Sequence, residues 1–329
     1  MAKGIGRLLQ FGIAREAVRG TLEAAATFWV PFNELGVEEK DTKVVDEQSR
    51  GIIEDSVGQT IVKQWAEGSV RAPIGDASFV LFLYSLFGTL VTTDNADANP
   101  VVKDHTIDIA QSAQHAALTL FLDDPLAAQD YRHALGVIPS LEILYEQGKF
   151  IEFNAVLKAK KGTASTLTPA SNTENRFVPQ HLTFKQAATQ AGLGAAGATI
   201  IKSLSLKIDQ NIEDDDVLGN IAPVDFLNKQ FMIEGQIEAI WQNESDFKTN
   251  ALAGTVRALR LDLKNTDVII GTSANPQLLI DLYRVVFKEI TRPVRINELV
   301  KQTLSFKAHY SLTDSKMARI VATNIQASY

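Results

Sequence analysis

The amino-acid sequence predicts a mainly β protein: a β-sandwich or barrel with a flanking α-helix and long loops or arms. Three observations carry that expectation. Between Gln230 and Trp241, residues Phe231, Ile233, Ile237, Ala239 and Trp241 share one face at a two-residue period, while Met232, Glu234, Gln236, Glu238 and Ile240 share the other. Val300 to Tyr310 alternates in the same way, and one segment alone, Asp76 to Phe87, carries a clear helical period. Alternation marks a half-buried strand, because successive side chains point to opposite sides of a sheet. At ~3.3 Å per residue, Gln230 to Trp241 would reach ~35 Å, about twice an ordinary strand. Strands of that length suit a barrel, a large sandwich or a sheet continued by neighbouring subunits.

In chain order, residues 1–58 read as an N-terminal arm and extended loop. Small residues fill Gly20 to Thr27, Phe28-Trp29-Val30-Pro31 follows, and Glu34 to Asp55 sets eight acids against Lys40, Lys43 and Arg50. A segment so acidic and so poor in apolar residues buries little of itself. Residues 59–329 form the β-rich body. Gln59 to Pro73 predicts a strand pair, or one strand after an extended lead-in. The helix over Asp76 to Phe87 rests on Phe79, Phe82, Leu83, Leu86 and Phe87 at helical spacing, with Asp76 as its cap and Gly88 as its end. Thr92 to Asn99 is a polar loop.

Strands then dominate. His105 to Gln111 and Ala117 to Leu122 read as strands, with a short helix or loop from Asp124 to Val137. Leu141 to Tyr145 and Phe150 to Lys158 face each other across Glu146-Gln147-Gly148-Lys149, a hairpin turn. Gly162 to Arg176 is a Ser/Thr/Asn-rich loop. Ser203 to Asp209, Leu259 to Leu263, Val300 to Tyr310 and Met317 to Ile325 complete the strands, and Leu278 to Ile290 suits strand or helix. The two strand-rich stretches, about 60–160 and 180–329, are candidates for an internal duplication.

The 329 residues carry a net charge of −7 and no cysteine. The acidic balance argues against a sequence-independent nucleic-acid binder, and disulfides and thiolate metal sites are ruled out. Met1 to Arg15 lacks the apolar core of a signal peptide. Phe79 to Phe87 is about half a membrane span, so the expectation is a soluble protein.

Motifs of chemistry fail one by one. Gly192-Leu193-Gly194-Ala195-Ala196-Gly197 matches G-x-G-x-x-G but runs into the β-branched Thr199-Ile200-Ile201, where a dinucleotide site requires a helix. Asn95-Ala96-Asp97-Ala98-Asn99 begins like a calcium loop, yet Pro100 and Thr106 stand where Gly and Glu are needed. Glu213 to Asp216 reads as a solvated acidic loop. The histidines (His105, His115, His133, His181 and His309) are scattered, and Glu234 with Glu238 suits a wet strand face better than a catalytic pair. No catalytic, cofactor-binding or metal-ligating residue is assigned.

The order of these features resembles the major tail tube proteins of long-tailed bacteriophages. The resemblance rests on Gly12-x-x-x-Glu16-x-x-x-Gly20-Thr21, Trp29-Val30-Pro31, Glu47 to Gly51, Leu86-Phe87-Gly88-Thr89, His105-Thr106-Ile107, Leu204 to Ile208 and the Met232 to Trp241 strand. It implies a structural subunit without enzyme activity or cofactor, made in the host cytoplasm and resident in the virion tail. It further implies self-assembly into stacked rings, usually sixfold, that conduct double-stranded DNA without holding it and do not engage a membrane. The implied partners are further copies of the chain, the tail terminator, the tape measure and the distal tail proteins. On charge alone, 34–55 or 213–216 is expected at the lumen or the inter-ring seam, and Glu234, Gln236 and Glu238 become candidate lumen lining. The competing readings are a β-rich adhesin or carbohydrate-binding module, and a dinucleotide-binding enzyme built on Gly192 to Gly197.

Overall fold

The computed structural model describes residues 5–125, 129–241, 247–294 and 296–329. The first four residues of the expected arm, and 126–128 of the expected helix or loop, lie outside them. Strand accounts for 49% of the chain and helix for 8%, which makes the protein mainly β and its sheets a sandwich.

The first part of the chain forms β1 (Gln10–Arg15), β2 (Phe28–Trp29), β3 (Glu34–Leu35), β4 (Glu38–Asp46), β5 (Gly58–Pro73) and the helix α1 (Ser78–Phe87). There follow β6 (Gly88–Asp94), β7 (Lys103–Ile109), β8 (Leu118–Asp123), β9 (Asp130–Tyr145), β10 (Glu152–Ala159) and β11 (Thr163–Ser165). Next come β12 (Leu182–Ala187), β13 (Ser203–Asp209), β14 (Ile212–Asp215), β15 (Asp225–Asn228) and β16 (Met232–Ile240). A short helix α2 (Lys248–Leu252), β17 (Arg257–Lys264), β18 (Gln277–Thr291), β19 (Lys301–His309) and β20 (Ala318–Asn324) finish it.

A continuous antiparallel wall runs β4-β5-β10-β9-β13-β16-β19-β18. Its buried face is apolar at every second residue: Leu204, Leu206 and Ile208 on β13, Ile233, Ile237 and Ala239 on β16, and Leu304, Phe306 and Ala308 on β19. Each full burial of such a side chain contributes about 1.5–3 kcal/mol, so the period of two holds the register. Buried residues of β1, β8, β12, β17 and β20 meet this face in one core. The long strands β9 and β18 join the layers. The N-terminal half of β9 pairs with β8 and β11, and that of β18 pairs with β17 and β20.

The helix is buried on every side, a consequence of its nearly all-apolar sequence. Gly88 ends it in the left-handed conformation, φ 92°. The start differs from expectation. Ala77 occupies the cap position, and Glu174 accepts the Ser78 N–H at 2.5 Å and its Oγ–H at 2.9 Å. Asp76, one residue too early to reach the free N–H groups, accepts instead from the Asn175 backbone and amide.

Other segments also differ. Within residues 1–58, β1 is a core strand in register with β8 and buries Phe11, Ile13 and Ala14. The acidic segment is partly strand: β4 forms a long exposed hairpin with β5, held by its ladder of backbone hydrogen bonds and not by burial. Strand β6 runs to Asp94, so the polar loop starts later. From Asp130 onward the expected helix or loop is the first half of β9, and Leu278 to Ile290 belongs to a strand. Glu213 to Asp215 lies in β14, paired with β15 as a separate ribbon.

Candidate functional site

The solvent-facing side of the wall is an ordered polar surface. Glu234, Gln236 and Glu238 point from β16 to that one side, and each has a cross-strand neighbour on both flanks. Glu234 stands between Lys207 and Lys307, Gln236 between Ser205 and Ser305, and Glu238 between Ser203 and Thr303. Lys207 in turn faces Glu142 of β9, so the row Glu142–Lys207–Glu234–Lys307 alternates in sign across four strands.

Most of these carboxylates are matched by lysine. Glu234 Oε1 accepts from Lys288 Nζ at 2.6 Å and lies 3.4 Å from Lys307 Nζ, while Glu238 Oε1 lies 3.0 Å from Lys301 Nζ. The hydrogen bond from Lys288 leads the effects holding the Glu234 carboxyl below its usual range. The face is therefore mixed in charge, not acidic. Sequence reasoning found the three β16 residues together but missed Lys288, Lys301 and Lys307. Lys301 and Lys307 stand in the alternation of Val300 to Tyr310, but their pairing with β16, and that of Lys288 from β18, is not visible in it.

Two features expected from charge or motif are structural. Asp214 accepts from Lys63 at 2.7 Å and Lys158 at 2.6 Å, and Asp216 accepts from Lys63 at 2.5 Å, so the acidic run is tied down by cations. The Gly12-x-x-x-Glu16-x-x-x-Gly20 element is a clasp: Glu16 accepts the backbone N–H groups of Gly20 and Leu135, both at 2.6 Å. Beside it Arg19 binds Asp225 through Nε at 2.9 Å and donates to Phe226 O at 2.8 Å, anchoring the β14–β15 ribbon.

The other motifs hold backbone. In Asn95 to Asn99 the side chains of Asn95, Asp97 and Asn99 each accept the N–H two residues on, and Asp97 also accepts the N–H groups of Thr272, Ser273 and Ala274, each at 2.8 Å. Gly192 and Leu193 end the 3-10 turn Gln190–Leu193, and the stretch on to Gly197 leads to no helix. His105 lies between Thr92 Oγ1 and Asn324 Oδ1, His115 between the Leu86 and Ala110 carbonyls, and His133 beside the Lys160 carbonyl. Burial lowers the pKa of all three, the state in which a neutral ring suits a packed core. Among the described residues no three His, Asp or Glu side chains gather as a metal site, and no helix is long and apolar enough to cross a membrane.

A family model described as phage tail tube protein matches residues 6–308. No curated protein matches the chain.

Proposed function

The chain belongs to the phage tail tube protein family, and from that premise we propose that it assembles into stacked rings whose joined sheets enclose a conduit for DNA. The family is one of structural components of the virion tail and not of enzymes. The observation that carries the conduit reading is the wall itself: eight antiparallel strands, all but the exposed β4 with one face in the core and the other wet, and, among the described residues, an unpaired strand edge on β4 and on the C-terminal half of β18. Open edges invite pairing with another chain, and closing them in a ring removes the liability.

In this reading the rings present six wall positions, and Glu234, Gln236 and Glu238 line the lumen. A lining of carboxylates, amides and hydroxyls, with Lys288, Lys301 and Lys307 engaged by carboxylates, gives phosphates few free cations to bind. Double-stranded DNA passes without sticking. The exposed β4–β5 hairpin reaches toward a neighbouring ring, and the tape measure, tail terminator and distal tail proteins meet the tube inside and at its ends.

Electron microscopy of the purified protein tests this. Rings or tubes of regular width are the expected result. A protein that stays monomeric at high concentration, with no ring in any field, overturns the reading.

A further inference from the structure

We propose that the chain holds two wall units in tandem, and that the wall continues from copy to copy by pairing the C-terminal half of β18 with β3 and β4 of the next copy. The register is the one by which β9 pairs β13 inside a single copy. This rests on the ring reading above and gives it a joint.

The pairings of the first unit recur in the second. The series β1·β8, β8·β9, β9·β10, β10·β5 and β5 with β3 and β4 reappears as β12·β17, β17·β18, β18·β19, β19·β16 and β16·β13. The irregularities recur too. The β8·β9 ladder shifts between Leu118 and Leu120, and β17·β18 shifts at the matching place, between Arg257 and Leu259. The shift between Val156 and Lys158 in β9·β10 is matched by that between Phe287 and Glu289 in β18·β19. Bulges are positional features of a fold, and two of them at matching places are hard to obtain by accident.

Finer contacts match. Val30 donates to Phe11 O at 2.8 Å, and Thr199 donates to Phe184 O at 2.8 Å. Ile74 donates to Ile151 O at 2.9 Å, and Trp241 donates to Val300 O at 2.9 Å. The sequence keeps a trace where the fit is tightest: Glu67-Gly68-Ser69-Val70-Arg71-Ala72 aligns with Glu234-Gly235-Gln236-Ile237-Glu238-Ala239. A Cβ on Gly68 would lie 1.8 Å from Gly36 O, and one on Gly235 would lie 2.5 Å from Ser205 O. Glycine stands at both positions because the neighbouring strand's carbonyl leaves no room for a side chain.

This equivalence identifies the joint. The C-terminal half of β9 has β10 on one edge and β13, the start of the second unit, on the other. The C-terminal half of β18 has β19 on one edge and, among the described residues, no strand on the other. The counterpart of β13 is β3 with the start of β4, whose only described partner is β5. Carrying the β9·β13 register across sets Lys40 opposite Glu289, Glu39 opposite Ile290 and Leu35 opposite Val294. The first pair is opposite in charge. The last replaces Leu204 and Tyr145, which face each other buried at the internal joint, whereas Val294 is 68% exposed. At the internal joint the turn Glu146–Lys149 leans over a groove lined by Leu182, Phe184 and Thr199. The matching groove of the first unit, lined by Leu9, Phe11 and Val30, stands open. A ring of six wall positions therefore closes with three chains.

The absence of cysteine makes the joint directly testable. Residues opposite each other in an antiparallel pair have Cβ atoms about 4.5–5.5 Å apart, within reach of a disulfide. In tubes of the Lys40→Cys, Glu289→Cys double variant, mild oxidation is expected to give a non-reducing ladder that stops at three chains. An Asp46→Cys, Glu289→Cys control should stay uncrosslinked. Tubes that form without the Lys40–Glu289 link, or that link Asp46 instead, overturn the joint and leave the tube standing. A ladder ending at six overturns the three-chain ring. A wild-type protein that never leaves the monomer overturns both readings. Should the cysteines themselves block assembly, the charge swap decides: Lys40→Glu and Glu289→Lys should each raise the assembly concentration several-fold, and the pair should restore it. Failure of the pair to restore it counts against the joint.

Discussion

Glu16 accepts the backbone N–H of Leu135 at 2.6 Å, at the point where β9 passes through a left-handed residue with φ 56°. The same carboxylate accepts the N–H of Gly20, so one buried side chain fixes both the turn after β1 and the bend of β9. Glu16→Ala leaves two inward-facing N–H groups without an acceptor, and urea unfolding should show a loss of about 2–4 kcal/mol. Burial raises the Glu16 pKa above its ordinary value. Between the two values the folded protein holds a proton that the unfolded chain has released, so this group's contribution to stability falls as pH rises through that window. Glu16→Gln should flatten that slope, which unfolding midpoints over roughly pH 4 to 7 will read.

Arg260 and Asp281 face each other across β17 and β18 and join through two hydrogen bonds of 2.7 Å, with Gln190 adding a third to the carboxylate at 3.0 Å. Asp281 is almost wholly buried. Arg260→Ala strands that carboxylate, and the expected cost is about 3–5 kcal/mol. The double variant Arg260→Met, Asp281→Leu should recover most of it, since a packed apolar pair replaces the ion pair without an orphaned charge. Chemical denaturation of the single and double variants checks both.

Asp97 gathers the N–H groups of Thr272, Ser273 and Ala274, and the hydrogen bond from Thr272 leads the effects pulling its pKa well below the usual carboxylate range. A lowered folded pKa stabilises the clasp above the ordinary carboxylate value, and the contribution is lost as pH falls below it. Protection of these three amides, relative to their intrinsic exchange rates, should fall in Asp97→Ala at neutral pH, and in the wild type only under acid. Unchanged protection in the variant would show that the loop is held by something else.

The sequence revealed the elements in which burial imposes a period. β13, β16 and β19 show alternation, α1 its helical stripe, and the β9–β10 turn its glycine, left-handed at φ 84°. What stayed hidden depends on partners far along the chain. β4 forms because β5 offers it a backbone ladder, although nearly all its side chains are in water. The first half of β9 was obscured by Leu135 and Gly136, where the strand bends. In the polar face, Glu234, Gln236 and Glu238 declared their common side by spacing alone. Lys288 arrives from β18 and Lys307 from β19, a pairing that no local pattern encodes. The Glu-Gly-x-Val/Ile-x-Ala stretch common to 67–72 and 234–239 is present in the sequence, but it is short, and Trp65 and Met232 before it differ.

Gln236 is exposed at the centre of the polar face, between Ser205 and Ser305. If that face lines the lumen, a thiol at Gln236→Cys stays open to small reagents in assembled tubes but not to large ones. A small maleimide should label subunits and tubes alike. A maleimide carried on a bulky polymer should label subunits readily and tubes at least ten-fold more slowly, because it must enter from the ends. The substitution removes no charge and no core contact, so tube formation is expected to match the wild type. Equal labelling of tubes and subunits by the polymer reagent would put the β16 face on the outer wall, and Glu234, Gln236 and Glu238 would cease to be lining.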